Sequence, residues 1–411
     1  MVQASVICKR LEVPFRQYEA PSGCLDRIAQ AVQAVFYLIV DTLHRAWDFV
    51  RCHERIVKVK SPHCSYKAVS VHPKKAITAK DDPYIIISID GGGVRGKIPA
   101  TFLQRLEEKL NQKVRSLAER IVGSSAGGII ALALSVPSEK NPDESEYTAQ
   151  AVNKLFDIFA SKVFATSCWH KISSFFGYRE AKYGSPRQII QSLVGETKLA
   201  ACVSKVSVTS FDLLTANTVL FSNNYDDLEI LQKRRFSCIP ADRDVAVDFA
   251  ATATSAAPTF FPSLGRYVDG GIGANSPALL ETLRAMSTDA KGRPIFVLSL
   301  GTGKTVHEPI SVPSNISWGA LPWVGPLITY LLDGSQHLVD EQMGLLTDAN
   351  PNIGYMHVQL QLENDDEAQM DNSSPANLQR LEDLTNKLFD DLMATPDGQK
   401  LLSIFKSKIN K

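Results

Sequence analysis

Apolar positions along the chain change their spacing several times, and each change marks a predicted element. Between residues 25 and 50 apolar side chains recur three or four positions apart, which predicts an amphipathic helix of about 26 residues. A β-branched run at residues 84–89 predicts a buried parallel strand, and helical spacing follows over about residues 100–117. The order of strand, glycine turn and helix recurs at residues 120–135. This repetition predicts an α/β fold with a mainly parallel central sheet and helices on both faces.

Further β-type runs and a last helix complete the predicted organisation. Runs at residues 203–211, 218–221, 266–269 and 295–300 predict more strands, and leucines at helical spacing over residues 378–392 predict a C-terminal helix. We therefore expect three parts. These are an N-terminal helical and basic extension (1–80), a main domain (81–346) and a C-terminal helical extension (347–411).

Positive charge is concentrated in residues 51–80, where eight Lys and Arg stand against one acid, Glu54. A basic stretch beside an amphipathic helix could dock on an anionic membrane surface. We favour the simpler interpretation, in which the helix packs on the main domain and a solvated linker follows it. The whole chain carries 44 basic and 44 acidic residues, so we expect no nucleic-acid partner.

The cysteines and the apolar runs bear on location and metal content. The seven cysteines are scattered and form neither a Cys-x-x-Cys motif nor a Cys/His cluster, which favours a reducing compartment and predicts no metal site. The first twenty residues are polar and charged, so we expect no secretory signal peptide. Since no apolar run has the length of a membrane span, we expect a cytoplasmic or peripheral membrane protein. Export by a specialised secretion system stays open.

The most informative stretch is a Gly-x-Ser-x-Gly motif, in which Ser125 lies between Gly123 and Gly127. An apolar run enters the motif and a helix-compatible run leaves it, which is typical of a strand–turn–helix elbow. The helix would begin at the serine, so its free N–H groups and the positive end of its dipole would lie nearby. Ser125 is thus a candidate nucleophile. A tightly packed turn with no chemistry would give the same pattern.

Three consecutive glycines, Gly91, Gly92 and Gly93, follow the first buried strand. Successive exposed N–H groups in such a turn form a concavity that binds anions. A phosphate is one candidate ligand, but the spacing fits neither the dinucleotide-binding nor the P-loop motif. The other candidate is the oxyanion that develops on a carbonyl under attack, with Arg95 adding positive charge. A purely structural turn is the third interpretation.

A serine nucleophile needs a base, and Asp269 lies in a similar glycine-rich context at the end of a strand. Both residues should therefore lie at one edge of the sheet. An aspartate, with a reference pKa of about 3.9, is a weak base, but burial would raise its pKa. Two alternatives stay open: an ordinary Asp-Gly turn, and a histidine base, for which the chain order of α/β-hydrolases allows His307, His337 or His357.

Five motifs, in order, resemble the patatin-like phospholipase family. They are Ile89-Asp90-Gly91-Gly92-Gly93-Val94-Arg95-Gly96, Gly123-Ser124-Ser125-Ala126-Gly127-Gly128, the segment 253–262, Asp269-Gly270-Gly271 with Ala274-Asn275-Ser276-Pro277, and Leu298-Ser299-Leu300-Gly301-Thr302-Gly303. The resemblance covers about residues 84–303 and implies a patatin-like three-layer sandwich. It also implies that Ser125 is the nucleophile and Asp269 the base. The turn Gly91–Gly93 and Arg95 would form the oxyanion hole.

The activity that the resemblance implies is that of a calcium-independent lipid acyl hydrolase, of the phospholipase A or lysophospholipase type, which needs no cofactor. A phospholipid or another acyl lipid would be the substrate. A membrane surface and a protein or small-molecule activator would be further partners. Since some bacterial relatives are effectors inside host cells, a secreted effector is a further expectation. Ser124, Ala126 and Ser276 depart from the commoner family residues, but none of these departures removes a reacting group.

Two other functions stay open at this point. The same acyl-enzyme could pass its acyl group to another alcohol, which would make the protein a transacylase. The chain could also be a non-enzymatic protein that binds membrane lipids, or a nucleotide-binding module built on Gly91–Gly93. A binding protein has no need of both Ser125 and Asp269, so we favour an enzyme.

Overall fold

The computed structural model describes residues 69–72, 77–78, 81–163, 186–224, 245–258, 260–290, 292–305, 326–362 and 365–409. The predicted N-terminal amphipathic helix at 25–50 lies outside these ranges, as does most of the basic stretch 51–80. The described residues belong to one compact unit, which comprises residues 65–307 and 317–411.

A central sheet organises this unit. The strands are β1 (Val69–His72), β2 (Tyr84–Ile89), β3 (Arg120–Ser124), β4 (Lys205–Asp212), β5 (Asn217–Ser222), β6 (Tyr267–Asp269), β7 (Ile295–Leu300), β8 (Lys304–Thr305), β9 (Ile353–Val358) and β10 (Gln361–Leu362). Eight of them form the sheet in the order β1-β9-β7-β2-β3-β4-β5, with β6 also paired to β4, while β8 and β10 pair separately. The neighbours from β9 to β4 run parallel, and β1, β5 and β6 are antiparallel to their neighbours. The predicted mainly parallel sheet is confirmed.

Helices cover both faces of the sheet. They are α1 (Lys97–Leu110), α2 (Val114–Leu117), α3 (Ser125–Ala133), α4 (Ala149–Val163), α5 (Pro186–Val194), α6 (Val247–Thr254), α7 (Gly271–Ala274), α8 (Ala278–Ser287), α9 (Pro326–Ala349), α10 (Asp365–Ala368), α11 (Pro375–Met393) and α12 (Pro396–Ile409). None of these described helices is long and apolar enough to cross a membrane.

The alternation of side chains along β2 divides the core into two layers. Ile85, Ile87 and Ile89 belong to a large apolar cluster that includes residues of α1, α3, α4, α11 and α12. Tyr84 and Ile86 point to the other face, where they join a smaller cluster with residues of α8 and α9. Successive strand residues point to opposite faces, so a strand buried on both sides is mainly apolar, as β2 is apart from Ser88. The predicted three-layer α/β arrangement is therefore confirmed.

The C-terminal segment is part of the same unit. Strand β9 lies in the central sheet between β7 and β1. Helix α11 packs on α1, where the rings of Phe389 and Phe102 meet edge to face with centroids 5.1 Å apart. Residues 347–411, expected to be helical, thus contribute a strand to the sheet as well as helices. The three-part division of the chain stays a prediction.

Candidate active site

Strand register brings two distant parts of the chain to one edge of the sheet. Ser124, the last residue of β3, pairs with Thr209 of β4, and the next residue of β4, Ser210, pairs with Asp269 of β6. Ser125 follows β3 directly. The sequence analysis predicted that Ser125 and Asp269 lie at one edge of the sheet. It did not predict that Asp269 lies on a strand antiparallel to β4, because the pattern of apolar positions does not indicate strand direction.

Ser125 occupies the elbow between β3 and α3 with a φ of +52°. This left-handed conformation costs a non-glycine residue on the order of 1–3 kcal/mol, so the surrounding structure must impose it. The flanking glycines permit the required close approach. A Cβ on Gly123 would lie 2.2 Å from the carbonyl oxygen of Gly127, and one on Gly127 would lie 2.3 Å from that of Ile89. The N–H of Ser125 donates to Oγ1 of Thr254 at 2.9 Å, which fixes the turn further.

Ser125 and Asp269 are in direct contact. Oγ of Ser125 donates to Oδ2 of Asp269 at 2.6 Å, and the N–H of Gly271 donates to Oδ1 at 2.7 Å. Burial raises the pKa of Asp269 to about 6, while the two hydrogen bonds act in the opposite direction. Asp269 is therefore a stronger base than an exposed aspartate, and its carboxylate is oriented toward the serine hydroxyl.

The glycine turn after β2 lies beside Ser125, since a Cβ on Gly91 would be 3.0 Å from the Cβ of Ser125. The N–H of Gly91 is engaged, because it donates to the carbonyl of Asn275 at 3.2 Å. The N–H groups of Gly92 and Gly93 donate to no partner within the described part of the chain, and both residues line the cavity that contains Ser125. Ala126, at the N-terminus of α3, lines the same cavity. The candidate oxyanion donors are thus Gly92 and Gly93 rather than Gly91.

Arg95 lies apart from this group. Its buried guanidinium donates from Nη1 to the carbonyl of Gly303 at 3.4 Å and has Nη2 at 3.9 Å from Oδ1 of Asp333. Burial lowers the pKa of Arg95, and Asp333 opposes that shift. Arg95 does not line the cavity. Its predicted part in the oxyanion hole stays a prediction for which no contact here provides support.

Ser125 and Asp269 lie in the wall of a cavity of about 360 Å³. The other lining side chains are mainly apolar and come from six separate segments: Ile129, Phe159, Phe260, Phe261, Ile272, Leu331, Leu332 and Met370. The sequence analysis identified none of these residues as part of a site. Apolar residues in helices and turns give the same local pattern whether they fill a core or line a cavity.

The two described candidate histidines, His337 and His357, do not contact Ser125. His357 is buried, with Nδ1 3.1 Å from Oδ1 of Asp340 and Nε2 3.8 Å from Oδ2 of Asp90. His337 is exposed on α9, and His307 lies outside the described residues. No histidine of the described ranges lines the cavity. Within those ranges, no group of three or more His, Cys, Asp or Glu residues has an arrangement that could bind a metal ion.

Comparisons with known proteins identify a family to which part of this chain is similar. Residues 87–281 match the sequence profile of the family described as patatin-like phospholipase, and this range contains the glycine turn, Ser125 and Asp269. The chain is 28% identical to patatin-like protein 2 of Arabidopsis thaliana over 354 residues, which cover 76% of this chain and 83% of that protein. It is 26% identical over 330 residues to a Solanum tuberosum protein named probable inactive patatin-3-Kuras 1, covering 71% of this chain and 83% of that one.

Among solved structures, human GIVD cytosolic phospholipase A2 in complex with methyl gamma-linolenyl fluorophosphonate aligns with a TM-score of 0.39 and 12% identity. The alignment covers 81% of this chain and 60% of the human one, and its similarity is too low to carry an argument. The assignment rests on the sequence matches and on the order of the motifs. The chain contains a patatin-like phospholipase domain, which spans residues 87–281.

Proposed function

We propose that this protein is a lipid acyl hydrolase that cleaves fatty acyl esters, with Ser125 as the nucleophile and Asp269 as the general base. The observation that carries the proposal is the 2.6 Å hydrogen bond from Oγ of Ser125 to Oδ2 of Asp269, in the wall of an apolar cavity. The match to the family alone is insufficient support, since one of the relatives is named probable inactive.

The first half of the reaction forms an acyl-enzyme. Oγ of Ser125 attacks the carbonyl carbon of the ester while Asp269 accepts the hydroxyl proton. A carboxylate with a pKa of about 6 is well matched to this task near neutral pH, because it is ionised there and yet basic enough to take the proton. Asp269 then donates that proton to the departing alcohol as the tetrahedral intermediate collapses.

Negative charge on the substrate oxygen needs donors that are already in place. Gly92 and Gly93 line the cavity with Ser125, and so does Ala126 at the N-terminus of α3, so we infer that the backbone N–H groups of these three residues are the donors. A water molecule then attacks the acyl-enzyme while Asp269 accepts its proton, and Asp269 returns that proton to Oγ of Ser125 as the ester bond breaks and the fatty acid leaves. Because protein groups supply both the base and the oxyanion donors, we propose a reaction that needs no calcium.

The cavity supports a fatty acyl chain as the group bound. Its volume of about 360 Å³ lies within the usual range for small-molecule sites, roughly 300–1,000 Å³. Two lining residues, Ile272 and Leu331, are 41% and 50% exposed, so the apolar wall continues to the surface. A phospholipid or lysophospholipid at a membrane surface fits this arrangement. A protein or small-molecule activator, and secretion as an effector into a host cell, stay predictions.

The test compares wild type, Ser125→Ala and a control, Ser135→Ala. The hydroxyl of Ser135 donates to the carbonyl of Ala131 at the far end of α3, away from the cavity. Wild type and Ser135→Ala should release fatty acid from phospholipid vesicles and bind a fluorophosphonate probe at Ser125, and Ser125→Ala should do neither. An unlabelled wild type that releases no fatty acid from phospholipid, lysophospholipid or neutral lipid would contradict the proposal and favour a lipid-binding protein. With an added acceptor alcohol, an ester product instead of free acid would identify a transacylase.

A further inference from the structure

The carbonyl oxygen of Gly91 accepts hydrogen bonds from three side chains. Oγ1 of Thr302 donates at 2.7 Å, Nδ2 of Asn275 at 3.3 Å and Nε2 of Gln336 at 3.4 Å. All three side chains are buried. A carbonyl oxygen has two lone pairs, so the three donors here exceed the number of hydrogen bonds that this oxygen ordinarily accepts. The mechanism above uses neither Thr302 nor Gln336.

These bonds bear on the direction of the neighbouring N–H. The structure describes no cis peptide bond, so the peptide between Gly91 and Gly92 is trans and nearly planar. In such a peptide the C=O of Gly91 and the N–H of Gly92 point in opposite directions. Anchoring the oxygen among the three donors therefore directs the N–H of Gly92 the other way, and Gly92 lines the cavity.

Thr302 also packs directly against the turn. A Cβ on Gly92 would lie 2.2 Å from Oγ1 of Thr302 and 2.5 Å from its Cβ. Thr302 is itself held in place, because the adjacent Gly303 N–H donates to Oε1 of Gln359 at 2.6 Å and the Gly301 N–H donates to the carbonyl of Val358 at 2.9 Å. A fixed side chain thus supports a run of glycines, whose backbone is otherwise the most freely rotating of any residue.

We propose that Thr302, supported by Gln336, is a positioning residue of the oxyanion hole, which orients the N–H of Gly92 toward the acyl carbonyl oxygen. This inference rests on the proposed function. Thr302 does not line the cavity, so its loss should leave binding of the acyl chain intact. An oxyanion forms only as the ester is attacked, and the effect should therefore fall on kcat rather than on KM.

Two substitutions of Thr302 test the proposal. Thr302→Val keeps the shape and removes the donor, whereas Thr302→Ser keeps the hydroxyl. With a long-chain p-nitrophenyl ester, we expect Thr302→Val to lower kcat by about 10- to 100-fold with KM changed by less than about twofold, and Thr302→Ser to retain most of kcat. A long-chain trifluoromethyl ketone, which forms an oxyanion on Ser125, should bind Thr302→Val more weakly by a similar factor. A long-chain alcohol, which forms none, should bind both variants like wild type.

Three results would overturn the proposal: a Thr302→Val enzyme with kcat within about twofold of wild type, equal losses in the Val and Ser variants, or equal weakening of ketone and alcohol binding. If Thr302→Val does not fold, Gln336→Met replaces it. That variant should lower kcat at least about threefold at constant KM, and an unchanged kcat would overturn the proposal. Failure of the proposed function is distinguishable, because wild type itself would then neither hydrolyse the ester nor prefer the ketone to the alcohol.

Discussion

Oγ of Ser125 and Oδ2 of Asp269 lie 2.6 Å apart, although 144 residues separate them along the chain. Ser125 is placed by a strained elbow after β3, and Asp269 by the pairing of β6 with β4. Because β4 pairs with both β3 and β6, its register determines whether the two side chains meet. The site therefore depends on the whole sheet and not on the elbow alone.

The pH dependence of Ser125 reactivity should follow the ionisation of Asp269. Burial raises the pKa of this carboxyl to about 6, and only the ionised form can accept the serine proton. The rate of fluorophosphonate labelling should level off above pH 7 and fall about tenfold per pH unit well below pH 6. Asp90 is also buried, and burial raises its pKa to about 7. If ionisation of Asp269 causes the fall in labelling rate near pH 6, the same fall should occur in Asp90→Asn. Loss of the fall in Asp90→Asn would contradict this assignment.

The same carboxyl should reduce the stability of the folded protein at neutral pH. Its pKa is raised from 3.8 to about 6, so the native state binds more protons than the unfolded state between these values, and stability falls as pH rises through this window. Relative to Asp269→Asn, wild type should lose up to about 3 kcal/mol of unfolding free energy between pH 3.5 and pH 7. Urea unfolding of both proteins measures the difference, and a pH-independent difference would argue against a raised pKa.

A methyl group at Gly127 should disrupt the elbow. The added Cβ would lie 2.3 Å from the carbonyl oxygen of Ile89, which belongs to a central strand and cannot move cheaply. We expect Gly127→Ala to lower the free energy of unfolding by about 1–3 kcal/mol and to abolish labelling of Ser125. Gly334→Ala is the matched control, because a Cβ on Gly334 meets nothing within 4 Å. Its position within α9 predicts stabilisation of up to about 1 kcal/mol, and equal behaviour of the two variants would contradict the argument.

Chain-length preference should respond to the volume of the cavity. Ile129 lines it, whereas Ile158, in α4, is exposed and does not. Ile129→Phe should lower kcat/KM for a long-chain ester by about tenfold or more, and change that for an acetyl ester much less. Ile158→Phe should change neither. If Ile129→Phe lowered kcat/KM for both esters by the same factor, the acyl chain would bind elsewhere.

Local sequence patterns were sufficient to predict much of the fold, and they identified the glycine turn and the Ser125 elbow of the site. An apolar run followed by glycines identified β2 with its turn, and the Gly-x-Ser-x-Gly motif identified the elbow at Ser125. Both signals are local, because strand burial and glycine packing leave their marks on adjacent residues. The glycine-rich context of Asp269 at a strand end made it a candidate base, and the resemblance to a family, built on the order of such motifs, implied that it pairs with Ser125.

The remaining features depend on contacts that no local pattern records. The sequence pattern does not distinguish Gly91, Gly92 and Gly93 as oxyanion donors. In the structure the N–H of Gly91 already donates to the carbonyl of Asn275. Met370 lines the cavity from the C-terminal segment, for which the sequence predicted only helical structure. Strand β9, between β7 and β1, was likewise absent from the prediction. In each case the partner lies far along the chain, and only the folded sheet brings the two together.

The most direct test of the Ser125–Asp269 dyad is the rate and position of acylation in a single turnover. Wild type or Asp269→Asn protein, in excess over the substrate, is mixed with a long-chain p-nitrophenyl ester, and the release of p-nitrophenol is followed by stopped flow. Mass spectrometry then locates the acylated residue. We predict an acyl group on Ser125 and acylation about 10²- to 10⁴-fold slower in Asp269→Asn, because the general base is lost. An acyl group on another residue, or an Asp269→Asn protein that acylates at the wild-type rate, would contradict the account.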